Sequence, residues 1–213
     1  ITWLHGLKFD HALLKETLDE YITSLENYVA KLERLDKRIE EFAQGDKYQE
    51  KAAELGCLLG IKTQAAMTMM SEISDFSRFR TASEFASFLG LVPGENSSGE
   101  KTQRTSITKS GNSQCRKTLI EAAAGICRGK VGHKSKELMR RQALCNNPIA
   151  ISYADRANER LRSKFYRLNL RNGKPANVAK TAVARELACF IWGIMTDTYN
   201  GKVPRNDEYA LGK

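Results

Sequence analysis

A long polar segment at residues 91–113, LVPGENSSGEKTQRTSITKSGNS, combines residue types that could bind or attack a phosphate group. It is rich in Gly, Ser and Thr, with Lys and Arg side chains spread among them. A loop of this length inside a compact domain usually has a function. A serine hydroxyl is a poor nucleophile until a base or a metal ion activates it, and the segment contains no histidine to act as the base. On residue types alone, a serine here is far more often a turn or capping residue than a catalyst.

A nucleotide-phosphate loop is one specific possibility, because four residues separate Gly94 from Gly99 and Lys101-Thr102 follow. The Walker pattern requires the lysine directly after the second glycine, and here Glu100 intervenes. It also requires a buried strand before the loop, for which only the short FLGLV is available. The sequence therefore argues against nucleotide hydrolysis.

The acidic, histidine and cysteine residues give no clear metal site. Glu72 and Asp75 are three residues apart in a predicted helix, so they could face one way and bind a metal ion, but surface or capping carboxylates are the commoner case. His5, His11 and His133 are scattered without ligand spacing. The five cysteines include no CxxC pair, which argues against a zinc site and a disulfide framework. We expect no metal or cofactor bound by this chain, and buried, reduced thiols.

The N-terminal part of the chain has the spacing of a coiled-coil helix. Apolar residues recur at alternating intervals of four and three, with the charged residues outside this stripe. This apolar seam consists of Leu14, Leu18, Tyr21, Leu25, Tyr28, Leu32, Leu35, Ile39 and Phe42. The helix could pair with its symmetry mate, which predicts a homodimer or a higher homo-oligomer. Alternatively, it folds back on another helix of its own chain or of a missing domain.

The rest of the chain also has helical spacing, which predicts an all-α fold. We expect a coiled-coil helix and linker at residues 1–50 and a compact helical domain at residues 51–213. No window alternates like a strand for long. At residues 55–73, two apolar stretches flank Gly60, as in a helix-hairpin-helix whose turn amides approach a backbone phosphate. Because Lys62 replaces the usual second glycine, a purely structural turn is an equal alternative.

Further helices are predicted on both sides of the polar segment. They cover residues 81–89, the stretch from Gln114 onwards, residues 150–168, and a last helix that Pro175 opens and that ends near Asn200-Gly201. The basic region at residues 128–149 is interrupted. The helix at 150–168 carries Arg156 and Arg160, which are candidates for phosphate contacts.

Positive charge is concentrated in the second half of the chain. The net charge of the whole is +9, yet residues 1–98 carry 11 Lys and Arg against 16 Asp and Glu, whereas residues 99–213 carry 23 against 9. Such segregation favours a polyanion partner, because every phosphate neutralised by Lys or Arg releases counterions. A merely soluble basic face is the alternative.

The chain has no sequence feature of export or membrane insertion. Its apolar runs fall short of the roughly 20 residues that span a bilayer. The first residues, ITWLHGLKFD, lack the charged start and small-residue cleavage site of a signal peptide. We therefore expect a cytoplasmic protein without membrane contact. Since the sequence begins with Ile at the approach to a helix, we also expect it to be a fragment of a longer protein.

The polar segment and its flanks resemble a known family, the IS110-type insertion-sequence transposases with their relatives the Piv-like DNA invertases. Residues 88–123 resemble the family's Gly-Leu-x-Pro, Ser-Gly, Arg, Ile-Thr-Lys-x-Gly-Asn and an Arg before an Ala-rich helix. Residues 58–79 are similar to its hairpin and Glu-Ile-x-Asp-x-x-x-Phe, and residues 184–195 to its Ala-Arg-x-Leu-Ala ending. The resemblance covers essentially the whole chain, although Leu59 and Lys62 stand where the family usually has Pro and Gly.

The resemblance implies a division of labour. A RuvC-like N-terminal domain, absent from this sequence, holds acidic ligands for Mg²⁺, and the coiled coil joins it to a domain that supplies a serine. That serine attacks a DNA phosphate and holds the strand as a phosphoserine while strands exchange. A structured RNA from the element guides target choice. The nucleophile position falls on Ser98, with Ser97 as the alternative.

Residues around this serine then have expected roles. Gly99 would let the backbone approach DNA closely. Arg104, Lys109 and Arg116 could neutralise charge that develops on the attacked phosphate. Asn112 can cap the helix that follows. The alternative function is a non-catalytic, dimeric nucleic-acid-binding module in which the loop only clamps a backbone.

Overall fold

The chain is built mainly from helices, which confirms the predicted all-α class. The computed structural model describes residues 2–95 and 104–199, with Arg104 described through its backbone. The helices are α1 (Thr2–His5), α2 (Ala12–Ala43), α3 (Gln49–Gly56), α4 (Thr63–Ile73), α5 (Ala82–Phe88), α6 (Ser113–Cys127), α7 (Lys136–Ala143), α8 (Pro148–Tyr166) and α9 (Ala176–Met195). A π-helical turn, Arg167–Arg171, follows α8, and two strands, β1 (Pro93–Glu95) and β2 (Arg104–Ile107), flank the centre of the polar segment. Backbone contacts divide the chain into two units, residues 1–44 and 45–213.

The first unit is dominated by α2, which runs for 32 residues and carries the whole apolar seam. Most of the seam is exposed, namely Leu14, Tyr21, Leu25, Tyr28, Leu32, Leu35 and Phe42. Leu18 and Ile39 are half-buried. Lys15 and Asp19 form an ion pair at 2.7 Å outside the seam. The helix therefore presents a continuous apolar stripe that a partner helix could cover.

Helix α9 is the centre of the second unit. It packs against α5, α6 and α8. In its second half, residues 187–194, the side chains are buried on nearly every face, which agrees with the uninterrupted apolar sequence there. The Tyr153 ring of α8 meets the Phe190 ring edge-on, with 5.4 Å between ring centroids. In the described ranges, no helix is long and apolar enough to cross a membrane.

The last helix ends earlier than the sequence predicted. It stops at Met195 rather than near Asn200, because Asp197 has the left-handed φ of +55°. The Asp197 carboxylate accepts a hydrogen bond from Lys51 Nζ at 2.5 Å, which ties this end to α3.

The turn between α3 and α4 is packed into the interior. Asn158 Oδ1 accepts a hydrogen bond from Leu59 N at 2.7 Å, and Asn158 Nδ2 donates to Cys57 O at 3.1 Å. Gly60 has a φ of +79°, and a Cβ there would lie 2.5 Å from the carbonyl oxygen of Ala122. Because turn groups bond to a buried side chain and the turn backbone touches α6, these contacts support the structural interpretation over a phosphate clamp.

The antiparallel ribbon of β1 and β2 was not predicted. Pro93 pairs with Ile107 and Glu95 with Arg104, with an irregularity between the two pairs. Strands of three and four residues are too short to produce a recognisable alternation of apolar and polar residues. Their pairing depends on two ends of a loop meeting in space, which local spacing does not encode.

Candidate functional site

The ribbon brings the two ends of the loop at residues 96–103 together. Beyond the strands the pairing continues, with Thr108 N donating to Val92 O at 3.0 Å and Lys109 N donating to Gly90 O at 3.1 Å. Ser97, Ser98 and Gly99 lie outside the described residues. The structure describes the residues on both sides of this loop, 90–95 and 104–112, and we call them the loop base.

Two glycines allow the returning segment of the loop base, residues 108–112, to lie close against the end of α5. Gly111 has a φ of +73°, and a Cβ there would lie 1.7 Å from the carbonyl oxygen of Phe88. Gly90 has a φ of +65°, and a Cβ there would lie 2.3 Å from the carbonyl oxygen of Ser110. Real Cβ atoms do not approach other atoms so closely, so only glycine permits these backbone contacts. The glycine of the pattern Ile-Thr-Lys-x-Gly-Asn is Gly111, so this contact explains why that position requires glycine.

Asn112 connects the loop base to two helices. Its Oδ1 accepts a hydrogen bond from Cys115 N at 2.8 Å, so it is the N-cap of α6, as the sequence predicted. Its Nδ2 donates to Glu72 Oε2 of α4 at 2.7 Å. One side chain therefore fixes the start of α6 and its position relative to α4.

Both carboxylates that could have held a metal ion act as hydrogen-bond acceptors. Glu72 accepts from Asn112, and Asp75 Oδ1 accepts from Ser77 N at 2.8 Å and Ser77 Oγ at 2.6 Å. The hydrogen bonds from Ser77 hold the pKa of Asp75 below its ordinary value. Among the described residues, no group of three or more His, Cys, Asp or Glu side chains is placed to hold a metal ion.

Arg116 reaches back from α6 to the loop base. Its Nη1 donates to Leu89 O and to Ser110 O, each at 3.0 Å. The guanidinium thereby satisfies a carbonyl after the end of α5 and another in the returning segment, next to Gly111. Lys109 is exposed and has a φ of +56°. Of the predicted site residues, Lys109, Asn112 and Arg116 are thus brought together at the loop base, which also includes the backbone of Arg104.

All five cysteines are buried and free, as predicted. Cys115 is the one closest in sequence to the loop base, and burial raises its pKa to about 12. A thiol with this pKa stays protonated at neutral pH, so Cys115 is a poor nucleophile.

The two predicted phosphate contacts on α8 have different surroundings. Arg156 is exposed. Arg160 is half-buried, and its Nε donates to Glu186 Oε1 of α9. Lys164 Nζ donates to the other oxygen, Glu186 Oε2, at 2.5 Å. Burial by itself would raise the pKa of Glu186, but the two cations hold that pKa below its ordinary value. Glu186 therefore remains a charged acceptor that fixes both cations.

Arg162 is an organising residue that was not among the predicted site residues. It is buried, its Nε donates to Ile126 O at 3.2 Å, and its Nη1 donates to Lys130 O at 2.7 Å and to His133 O at 2.5 Å. A Cβ on Gly129 would lie 1.9 Å from Arg162 Nη2. Burial lowers the pKa of Arg162. The guanidinium thus orders the first part of the interrupted basic region, and Gly129 was the one sequence signal of this close contact.

Comparison with known proteins shows that this chain is similar to transposases. Residues 52–139 match the model of the transposase IS116/IS110/IS902 family. A protein of Sinorhizobium fredii described as a transposase is 34% identical over 194 residues, which cover 91% of this chain and 45% of that protein. A protein of Pseudomonas aeruginosa described as a family 20 transposase is 27% identical over 187 residues, 86% of this chain and 45% of that protein. The transposase for insertion sequence element IS1111A of Coxiella burnetii is 28% identical over 119 residues, 53% of this chain and 33% of that protein.

The chain spans less than half the length of these relatives. The family match begins in α3 and ends in α7, so it contains α4, α5, the whole loop base and α6. Both the match to the family model and the relatives agree with the resemblance carried by the polar segment. Residues 52–139 therefore form a domain of the transposase IS116/IS110/IS902 family, and the chain as a whole is similar to transposases.

Proposed function

We propose that this chain is the part of a DNA transposase that supplies the nucleophile for strand cleavage and exchange. Ser98 is the proposed nucleophile, with Ser97 as the alternative. The serine Oγ forms a bond to the phosphorus of a DNA phosphodiester, while the bond from phosphorus to one bridging sugar oxygen breaks. The serine proton passes to the activating group, and the leaving sugar oxygen takes up a proton. The strand is then held as a phosphoserine ester until a sugar hydroxyl of another strand end reverses the step.

The observation that carries this proposal is the family match over residues 52–139, because that stretch contains the serine loop together with both of its ends. The fixed loop base supports it. Close backbone contacts at Gly90 and Gly111, the Asn112 cap and the Arg116 hydrogen bonds hold the ends of the loop in one arrangement. A nucleophile attached to a rigid base loses less freedom when it is aligned with a phosphate.

DNA is the proposed partner, and a structured RNA of the element is the proposed guide in target choice. The excess of Lys and Arg in residues 99–213 supports a polyanionic partner. We further propose that the activating group belongs to a RuvC-like domain located before this chain, whose acidic residues would hold Mg²⁺ and whose metal ion would activate the hydroxyl. The relatives are more than twice as long as the parts that this chain matches, which is compatible with a further domain.

This division of labour is tested by comparing the 213-residue chain with a longer protein that includes the upstream domain. We expect the chain alone to leave DNA carrying the element's terminal sequences intact in the presence of Mg²⁺, since the activating group is elsewhere. The longer protein should cut the same DNA, and a chelator should stop it. A gel assay with end-labelled DNA measures both. Strand cleavage by the 213-residue chain alone would contradict the proposed division.

We also propose that the apolar seam of α2 joins two or more copies of the chain. The support is the length of the seam and the exposure of seven of its side chains, from Leu14 to Phe42. An unpaired stripe of this size on a single helix leaves apolar surface in water, and pairing with an identical helix removes it.

Replacing Leu25 and Leu32 with Asp should abolish this self-association, because each change puts a charge in the apolar seam. The control is the double change Ser24→Asp and Asn27→Asp, which adds two carboxylates to exposed positions outside the seam. Light scattering at several concentrations gives the mass of each protein. The control should keep the parent mass. A seam variant with an unchanged oligomeric mass would show that the copies associate through another surface.

A further inference from the structure

A basic pocket lies in the second unit, between α8, the π-helical turn and α9. Its volume is about 400 Å³, and it is separate from the loop base in its lining residues. Besides Tyr166, the polar side chains that line it are Arg160, Ser163, Lys164, Arg167, Arg171 and Glu186. Four cationic side chains and one carboxylate give the lining a formal charge of +3. A concave surface with this charge concentrates anions, because the walls exclude solvent that would screen the field.

Two of the four cations, Arg160 and Lys164, are held in place by a buried carboxylate of α9. Glu186 is 5% exposed, and its two oxygens accept hydrogen bonds from Arg160 and Lys164. These side chains are therefore ordered before any ligand arrives, so an anion that contacts them loses less of its binding energy to immobilising them.

The other two cations, Arg167 and Arg171, are exposed at the rim of the pocket, where a ligand can reach them. Arg167 and Arg171 are exposed and stand four residues apart, at the two ends of the π-helical turn. Within the part of the chain that the structure describes, neither guanidinium has a hydrogen bond or an ion pair. Asn172 N donates to Arg167 O at 3.0 Å, the i to i+5 bond that defines the wide turn. Single π-helical turns are frequent at functional sites, and arginine forks match the geometry of phosphate oxygens.

The remaining wall of the pocket is fixed by the buried Arg162. Val131 lines the pocket from the segment whose carbonyls at Lys130 and His133 bind the Arg162 guanidinium. Tyr166, another lining residue, donates from its hydroxyl to Gly129 O at 3.2 Å. Both the floor and this wall are therefore ordered by contacts inside the protein, which distinguishes the pocket from a patch of mobile surface lysines.

We propose that this pocket binds a backbone phosphate of a nucleic acid strand, through residues that do not belong to the loop base. The proposal rests on the proposed function, because it assumes that nucleic acid is the partner of this domain. A chain phosphate is favoured over a small free anion for two reasons. Arg167 and Arg171 lie exposed at the rim, where a strand can continue past the pocket, and the excess positive charge of residues 99–213 suits a long polyanion.

The first test removes the two rim arginines. The double variant Arg167→Ala with Arg171→Ala should bind a fluorescein-labelled DNA duplex at least about tenfold more weakly than the parent chain, whatever the DNA sequence. The slope of log affinity against log salt should become shallower by about one to two units, because one or two phosphate contacts are lost. The control, Arg80→Ala with Arg140→Ala, removes two exposed arginines that do not line the pocket. Fluorescence anisotropy over a salt series measures all three proteins.

The second test adds one negative charge inside the pocket. Ser163 is exposed in the lining, so Ser163→Glu and Ser163→Gln should both fold. The two variants have side chains of similar size and differ in charge. We expect Ser163→Glu to weaken DNA binding at least about tenfold relative to Ser163→Gln, because its carboxylate occupies the cations that would bind the phosphate. Equal binding by the two variants would contradict the proposal even if the arginine variant were poorly folded.

The outcomes separate this proposal from the proposed function. If the parent chain binds DNA and the pocket variants bind it equally well, the pocket is not a backbone contact, although the serine function stands. If the parent chain does not bind DNA at any salt concentration, the proposed function and the pocket fail together. In a third experiment, the thermal unfolding of the parent chain and of the double arginine variant is measured at increasing concentrations of inorganic phosphate. Saturable stabilisation that the double variant loses, with DNA binding unchanged, would assign the pocket to a free anion and overturn the proposal.

Discussion

Replacing Ser98 with Ala in the longer, active protein is expected to lower strand exchange at least about a thousandfold. The change removes the one oxygen that becomes bonded to phosphorus, and no neighbouring group readily takes its place. From its place in the polar segment we expect Ser98 to be exposed, so folding and DNA affinity should hardly change. Substitutions of exposed residues usually alter the free energy of unfolding by no more than about 0.5 kcal/mol. The measurements are a recombination assay, thermal unfolding and DNA binding on the same preparations.

Ser97→Ala is the matched control, because it deletes the same atom one residue away. If Ser98 is the nucleophile, the control should retain most of the activity. Loss of activity in Ser97→Ala with normal activity in Ser98→Ala would move the nucleophile by one residue. Normal activity in both variants would mean that water or a DNA hydroxyl makes the attack, and the domain would then be a nucleic-acid-binding module without a catalytic serine.

Replacing Gly111 with Ala is expected to be the most damaging small substitution in the loop base. The added Cβ would lie 1.7 Å from the carbonyl oxygen of Phe88, and alanine is also strained at a φ of +73°. Gly132 has a similar φ of +76°, but a Cβ there meets nothing within 4 Å, so Gly132→Ala isolates the cost of the backbone conformation. That cost is about 1–2 kcal/mol. Gly111→Ala should lower the free energy of unfolding by at least about 2 kcal/mol more, because the clash adds to the strain.

Urea denaturation of the two glycine variants gives both free energies of unfolding. In the longer protein, Gly111→Ala should also reduce recombination more than Gly132→Ala, because the displaced base moves the serine loop. Equal losses of stability in the two variants would contradict the tight docking of the returning segment on α5. A destabilised Gly111→Ala with full recombination activity would show that the serine loop is positioned by something other than its base.

The sequence alone predicted those helices whose signals are local, either an apolar face or a residue at the helix end. The spacing of four and three from Leu14 to Phe42 identified α2, because a helix places such residues on one side. Cap and breaker residues identified others, since Asn112 starts α6 and Pro175 precedes α9. These signals are local, so a single sequence contains them completely.

The features that the sequence did not reveal depend on contacts between distant segments. The ribbon requires Pro93 to meet Ile107, and the hairpin turn is fixed by Asn158, which is 99 residues from Leu59. Arg160 was predicted as a phosphate contact from its positive charge. Its hydrogen bond to Glu186 could not be predicted, because Glu186 lies on another helix, 26 residues away. No periodicity encodes such pairings. The serine loop presents the opposite case, because its assignment came from the resemblance and could not have come from residue chemistry alone.

The most direct test of the central proposal is to trap the covalent intermediate. A suicide DNA substrate that cannot rejoin after cleavage is incubated with the longer protein and Mg²⁺, and the DNA-linked peptide is identified by mass spectrometry. We expect a nucleotide phosphate attached to Ser98 in the peptide from the loop at residues 96–103, and no adduct with Ser98→Ala. Cleavage of the substrate without any protein adduct would contradict a serine nucleophile in this domain.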